Sequence, residues 1–215
     1  MTTALVLIVT AVCAYFLGNA NGAILVSKLF FHEDIREKGS GNAGLTNYYR
    51  IYGAKFVGVM MAVDVLKTVA AILLGQFVFG HYLLKPELGQ YWAAAFVVLG
   101  HSFPCLFSFR GGKGILCSGT MLIMLDWRIA LVGFGLFILS LALTRYVSLG
   151  SILAAASFPF TTYWVYHANA DFAWIMLIAV ALAAFVIWAH RSNIGRLVRG
   201  RENKFKFRIE GEKQK

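Results

Sequence analysis

Gly100-His-Ser-Phe-Pro-Cys-Leu-Phe-Ser-Phe-Arg110-Gly-Gly-Lys-Gly-Ile-Leu-Cys-Ser-Gly119 is a glycine-rich basic segment set between two apolar runs. Its core, Arg110-Gly111-Gly112-Lys113-Gly114, leaves backbone N–H groups uncovered by side chains. Glycine allows the positive φ values and close approach that turn such groups toward an anion, while Arg110 and Lys113 add charge and Pro104 fixes the direction of approach. The segment is not a Walker A loop, because Phe107 stands five residues before Gly112 and Gly114 follows Lys113 where Ser or Thr is needed. A loop rich in turn glycines and positive-inside charge would look the same in isolation, so the weight falls on three further polar clusters.

The apolar setting comes from composition. The 215 residues are 59% hydrophobic and 15% aromatic, with a mean hydropathy of +0.69; this is too apolar for a soluble domain and leaves room for six to eight spans of about 20 residues each. A net charge of +10 would suggest nucleic acid in a soluble protein, but here the cations crowd into particular loops, which argues against a nucleic-acid role. Cys13, Cys105 and Cys117 show no paired Cys/His metal spacing and read as free thiols, so neither a metal nor a cofactor is expected. No Lys or Arg precedes Lys28, as a signal peptide would require, so the first apolar run is expected to be a retained span.

Runs suited to crossing a bilayer lie at Ala4–Val26, Phe56–Phe79, Tyr91–His101, Ile115–Leu125, Ile129–Leu143, Leu149–Tyr166 and Phe172–Trp188. The expected fold is an all-α integral membrane protein of seven transmembrane helices with cytoplasmic-facing loops, a single domain over 1–200 and a basic cytoplasmic tail over 201–215. The third and fourth runs are short, so the loop between them is expected to dip into the protein. Of the 20 Lys and Arg, all but Lys67, Lys85 and Arg128 fall on one side, which places the N-terminus outside and the C-terminus in the cytoplasm. The connector His81–Gln90 and the outer residues His167, Asn169 and Asp171 read as plain loops, Pro159 as a kink, and the tail as a flexible segment drawn to anionic lipid.

Gly18-Asn-Ala-Asn-Gly22 places two glycines four apart for close helix packing. Asp64 and Lys67, three apart on one helical face, are expected to pair or reach a polar pocket, since a lone charge at the bilayer centre costs roughly 2.5–3.5 kcal/mol. In the first polar cluster, Ile35 to Arg50, Ser40, Asn42, Thr46 and Asn47 offer neutral hydrogen-bonding groups and Arg50 a bidentate cation; a turn with a helix N-cap accounts for Ser40 and Asn42 equally well. In the second, Thr144 to Ser151, Ser148 and Ser151 lie beside Arg145 and suit either a cap or an anion. In the third, His190 and Asn193 share a helical face near Arg196. Together with the central loop these clusters place Arg50, Lys113, Arg145 and Arg196 at one face, with few carboxylates: a pocket for phosphorylated ligands roofed by lipid-facing helices that could admit an acyl chain.

Ser40-Gly-Asn-Ala-Gly-Leu-Thr-Asn47, Gly100-His-Ser-Phe-Pro104 with Phe109-Arg-Gly-Gly-Lys-Gly114, Tyr146-Val-Ser148 and His190-Arg-Ser-Asn193-Ile resemble motifs of the bacterial acyl-phosphate:glycerol-3-phosphate acyltransferases, the PlsY family. The resemblance runs from Gly18 to about Glu202. It implies a seven-span fold and transfer of a fatty acyl group from acyl phosphate to the 1-hydroxyl of sn-glycerol 3-phosphate, giving lysophosphatidic acid in the bacterial cytoplasmic membrane. Beside acyl phosphate, glycerol 3-phosphate and membrane lipids, the enzymes that make acyl phosphate and that add the second acyl chain would then be candidate partners. On this resemblance Ser40, Lys113, His190 and Asn193 are the catalytic candidates, with Arg50, Lys113, His190 and Asn193 holding the glycerol 3-phosphate phosphate. Asn42, Thr46, Asn47, Ser148 and Ser151, the N–H groups of Gly111, Gly112 and Gly114, and the cations Arg145 and Arg196 would bind substrate. The chain departs from the family pattern at Leu45, Thr68, Arg110 and Leu116-Cys117; Cys117 removes a hydroxyl.

No His-x4-Asp acyltransferase pair is present, since the residue five beyond His101 is Leu106, beyond His190 Gly195 and beyond His32 Glu37. Direct transfer is therefore expected, with a substrate phosphate oxygen taking the hydroxyl proton. Two rivals fit less well. A carrier or flippase for a phosphorylated solute lacks an internal repeat, and a CDP-alcohol phosphotransferase lacks its Asp-rich metal motif. The topology has a direct check: in Glu87→Cys the new thiol should react with an impermeant reagent from outside only, and labelling solely from the cytoplasmic face would invert the assignment.

Overall fold

The computed structural model describes residues 2–205, and the last ten residues of the expected tail lie outside that range. Among the described residues the chain is all-helical: α1 (Thr3–Asn19), α2 (Gly22–Phe31), α3 (Leu45–Tyr52), α4 (Val57–Leu83), α5 (Pro86–Ser102), α6 (Ile115–Leu125), α7 (Trp127–Thr144), α8 (Val147–Tyr166), α9 (Phe172–Ala189) and α10 (Arg191–Val198). Four segments are long and apolar enough to cross a bilayer: Thr3–Phe31, Val57–Leu83, Trp127–Thr144 and Phe172–Ala189. Leu66, Phe77, Leu131 and Trp174 face outward, each more than 60% exposed, whereas Thr10, Asn19, Asp64, Lys67 and Thr162 are buried. Apolar outside and polar inside is the distribution of a helical integral membrane protein.

Helices fall on each of the expected runs, four of them within the segments long enough to cross a bilayer, with three adjustments. The first run is not one helix; it breaks at Ala20-Asn21, where the Asn21 side chain accepts from Ile24 N–H at 3.1 Å and so caps α2. The connector expected over His81–Gln90 is almost wholly helical, because α4 continues to Leu83 and α5 starts at Pro86, a residue pre-set for a first helical turn. The third run is accordingly a 17-residue helix. The fourth stays short: the 11 residues of α6 rise about 16 Å against a hydrocarbon core of about 30 Å. Asp126 both ends α6 and caps α7, accepting from Arg128 N–H at 2.8 Å.

α5 packs against α1 and α4, and α7, α8 and α9 pack in sequence. Glycines set the closest of these approaches. A Cβ on Gly75 of α4 would overlap the Gly89 carbonyl of α5, and one on Gly89 would overlap that of Gly75. Gly18 and Gly100 meet similarly between α1 and α5, the packing role expected for the first glycine. Gly75→Ala and Gly89→Ala should each lower stability by about 1–3 kcal/mol through overpacking, read as a fall in the thermal midpoint in detergent. Gly58→Ala, in the same α4 but with nothing within 4 Å of the added carbon, should hold or raise that midpoint.

Candidate active site

The loops that reach the site are tied to one another before any ligand is considered. Asn47 accepts from Ser40 N–H at 3.0 Å and donates to the Lys38 carbonyl at 3.0 Å, which closes the Ser40–Thr46 loop onto α3. The Arg36 guanidinium donates to both carboxylate oxygens of Asp34 at 2.9 and 2.6 Å, and to the carbonyls of Phe107 and Arg110 at 2.5 and 3.2 Å. That fork joins the first loop to the central one, and its hydrogen bonds to Asp34 hold the carboxyl well below the usual carboxylate range. The central loop folds back on the end of α5, with Gly111 N–H donating to the Ser102 carbonyl at 3.1 Å and Gly112 N–H to the His101 carbonyl at 3.2 Å. Those two N–H groups are thus spent on backbone and do not face a ligand, contrary to the expectation. Glycine is needed at 112 for space: a Cβ there would overlap the Ala43 carbonyl and the His101 ring.

One cavity of about 960 Å³ gathers the loops. Ser40, Asn42, Thr46, Asn47 and Arg50 line it from the first loop and α3, Gly111, Gly112, Lys113 and Gly114 from the central loop, Ser148 and Ser151 from α8, and His190, Asn193 and Arg196 from the end of α9 and α10. Arg145 is not among its walls. That residue ends α7 in the left-handed conformation, φ 62°, and its carbonyl accepts from Phe205 N–H at 2.7 Å. Ser151 also serves its own helix, donating to the Val147 carbonyl at 2.9 Å.

The polar end is organised by a residue the sequence reading assigned to the tail. Glu202 returns into the cavity, where it accepts from Asn193 at 2.6 Å, Ser148 at 2.9 Å and Arg196 at 2.6 Å. Burial would raise its carboxyl, but the bonds from Asn193, Arg196 and Ser148 prevail and hold it down, ionised at neutral pH. Asn193 in turn accepts from the Lys113 ammonium. Burial, and then the nearby Arg196 charge, push Lys113 down to about 8. His190 is 3% exposed, and its Nδ1 lies 2.8 Å from the Val186 carbonyl. A carbonyl needs a donor, so Nδ1 carries the proton and Nε2 is left with a lone pair. Burial also pushes His190 down to about 4, so at neutral pH the ring is uncharged. Its Nε2 is thus an acceptor turned to the cavity.

Toward the helices the same cavity turns apolar, walled by Leu122, Phe134, Phe137, Phe158, Leu182 and Phe185. Asp64 and His101 reach its inner wall as well. The expected pairing of Asp64 with Lys67 is present at 2.7 Å. Glu202 lay outside what sequence could assign, because only the return of the chain past α10 brings it near Ser148.

The glycerol-3-phosphate acyltransferase family model matches residues 8–200. Among curated relatives, the glycerol-3-phosphate acyltransferase of Finegoldia magna is 38% identical over 200 residues, 93% of this chain and 96% of the relative. That of Thermoanaerobacter pseudethanolicus is 36% identical over 197 residues, 92% and 94% of the two chains. Among solved structures, the glycerol 3-phosphate form of PlsY, an integral membrane glycerol 3-phosphate acyltransferase, superposes with a TM-score of 0.79 at 29% identity, covering 93% of this chain and 96% of that one. Its lysophosphatidic acid form gives 0.76 at 27%, covering 94% and 96%.

Lys113 carries its charge below about 8, so affinity for an anion is present there and lost as pH rises through that value. Calorimetric titration with inorganic phosphate from pH 7.5 to 9.5 should show this decline in the wild type. Lys113→Arg, which stays charged, should bind with little change across the range; an identical decline in that variant would assign it to another group.

Proposed function

This chain belongs to the glycerol-3-phosphate acyltransferase family, and from that premise we propose that it acylates sn-glycerol 3-phosphate at the 1-hydroxyl with acyl phosphate as donor, forming lysophosphatidic acid at the cytoplasmic face of a bacterial membrane. One observation carries the reading: a single cavity is cationic and hydroxyl-bearing at one end and walled by Phe134, Phe137 and Phe158 at the other. Such a space suits two phosphate groups beside an acyl chain.

In the reaction the 1-hydroxyl oxygen bonds to the acyl carbonyl carbon, the bond from that carbon to the phosphate oxygen breaks, and the hydroxyl proton goes to a phosphate oxygen. Acyl phosphate brings its own leaving group. Arg50, Lys113, Asn193 and Arg196 take the glycerol 3-phosphate phosphate, and its arrival competes with Glu202 for the same donors. The neutral His190 accepts a hydrogen bond at Nε2 from a glycerol hydroxyl and so orients the nucleophile. Ser40, Asn42, Thr46, Ser148 and Ser151 line the space for the acyl phosphate, and Asn47 acts through the loop it closes. Direct transfer fits the hydroxyl geometry: Ser148 donates to Glu202 and Ser151 to the Val147 carbonyl, so neither hydroxyl is turned toward the His190 lone pair that would activate it.

Purified protein with labelled glycerol 3-phosphate should form lysophosphatidic acid from acyl phosphate and not from acyl-CoA or acyl carrier protein. Activity only with a thioester donor would overturn the donor assignment, and uptake into proteoliposomes without product would favour a carrier. Lys113→Ala should lose about 10²-fold or more in rate, the scale of removing one preorganised charge contact, with an unchanged melting temperature; retention of half the rate would remove Lys113 from the site.

A further inference from the structure

Beneath the central loop lies a buried charged cluster that the proposed chemistry does not use. Asp64, Lys67 and His101 are 1%, 6% and 2% exposed. The Lys67 ammonium pairs with Asp64 Oδ1 at 2.7 Å, donates to the carbonyls of Gly18 and Ala20 at 3.1 and 2.8 Å, and lies 2.9 Å from His101 Nδ1. Asp64 Oδ1 also accepts from Gly22 N–H at 3.1 Å. His101 Nδ1 also lies 3.4 Å from Asp64 Oδ1, so the ring meets both members of the pair. Its Nε2 faces Gly112, where an added Cβ would meet it. A carboxylate oxygen of Asp64, a ring nitrogen of His101 and the Cys117 sulfur lie within 4.8 Å of one another, a grouping with metal-ligand chemistry. The Lys67 ammonium, however, stands within hydrogen-bond reach of both Asp64 and His101 and supplies the cation there.

The cluster touches the break between α1 and α2 and the central loop just before Lys113. On one side Lys67 and Asp64 bridge the break between α1 and α2. On the other, the His101 carbonyl receives Gly112 N–H at 3.2 Å, one residue before Lys113. Asn21, in the break itself, donates to the Ala43 carbonyl at 3.2 Å and lies 3.4 Å from His101 Nδ1; Gly112 packs directly on that same Ala43 carbonyl.

We propose that Asp64, Lys67 and His101 are positioning residues that set the height of the Gly111–Lys113 backbone, and with it the place of the Lys113 ammonium, without touching substrate. They act on the phosphate-binding end alone. Among the described residues the apolar walls of α7, α8 and α9 receive no hydrogen bond from the cluster. The inference rests on the proposed reading of the cavity for the identity of the anion, but not for its geometry.

The test uses the full purified chain and separates the two substrates. In Asp64→Asn with Lys67→Met, which removes both charges together, KM for glycerol 3-phosphate should rise at least tenfold while KM for acyl phosphate stays within about twofold. His101→Asn, which keeps a hydrogen-bonding group near the place of Nδ1, should retain activity within about fivefold, whereas His101→Leu should lose fiftyfold or more. Inorganic phosphate affinity should fall in parallel with the rise in KM. A folded double variant with an unchanged KM for glycerol 3-phosphate would overturn the proposal. So would both KM values rising together with a drop in melting temperature, the sign of general loosening, or His101→Asn behaving no better than His101→Leu. Should the double variant fail to fold, the His101 pair decides. If the wild type binds phosphate but transfers no acyl group from any donor, the acyltransferase reading fails, and the phosphate affinities of the same variants still judge the positioning role.

Discussion

The Lys67 ammonium, held by Asp64 and by the carbonyls of Gly18 and Ala20, is the contact on which the arrangement of the site depends. A helix that breaks inside a bilayer frees backbone groups that water does not reach, and each must find a partner in the protein. Here the first span breaks at Ala20-Asn21, and the freed carbonyls are taken by a cation while the first N–H of α2 is taken by the paired carboxylate. The ion pair is isolated in neither charge nor hydrogen bonding, which is what makes it tolerable: removing one partner of a buried pair typically costs 3–5 kcal/mol because the other is left uncompensated. The broken helix is what allows the first loop to reach the central one at the level of Gly112.

From that point the cavity is assembled by side-chain hydrogen bonds that tie one loop to the next. Arg36 joins the carbonyls of the central loop to Asp34, Asn47 closes the loop before α3, and the chain after α10 returns to place Glu202 among Ser148, Asn193 and Arg196. In a cavity proposed for anions, a carboxylate amid the donors keeps Asn193 and Arg196 oriented while no ligand is bound. It also lowers the net positive potential, so an incoming phosphate gains by replacing a weaker acceptor set and not by meeting bare charge.

Much of this was legible in the sequence because hydropathy and loop chemistry are local. The apolar runs, the shared face of Asp64 and Lys67, and the four clusters around residues 40, 113, 148 and 190 required only spacing and composition. Where the reading failed, the missing information was tertiary. Gly111 and Gly112 look like anion-binding N–H groups in sequence, yet their donors close a turn on α5, a choice set by what lies beneath them. Arg145 shares its neighbourhood with Ser148, but a left-handed helix end keeps it off the cavity walls. Glu202 sits in a polar stretch with no period, and its partners lie 6, 9 and 54 residues away. The helix boundary at Pro86 was readable from Pro alone; the polar residues around it were wrongly weighted as a loop.

The protonation pattern also limits what kind of catalysis the cavity can supply. A general base must present a lone pair at the proton it removes and gain basicity as it does so. His190 presents the lone pair, but with burial holding it near 4 it is a poor sink for a proton at neutral pH. Lys113, cationic over most of the physiological range, opposes a second positive charge nearby. Asp64 and His101 are already bound to Lys67. A phosphate oxygen on a substrate is more basic than His190 and arrives paired with the cations, so it can take the hydroxyl proton without building charge on the protein. The protein's contribution is then to hold two anions and one hydroxyl in a fixed relation, and well-oriented reactants of this kind can recover roughly 7–11 kcal/mol of a barrier. On this account the rate is sensitive to where the Lys113 backbone sits, which brings the chemistry back to the buried cation under the loop.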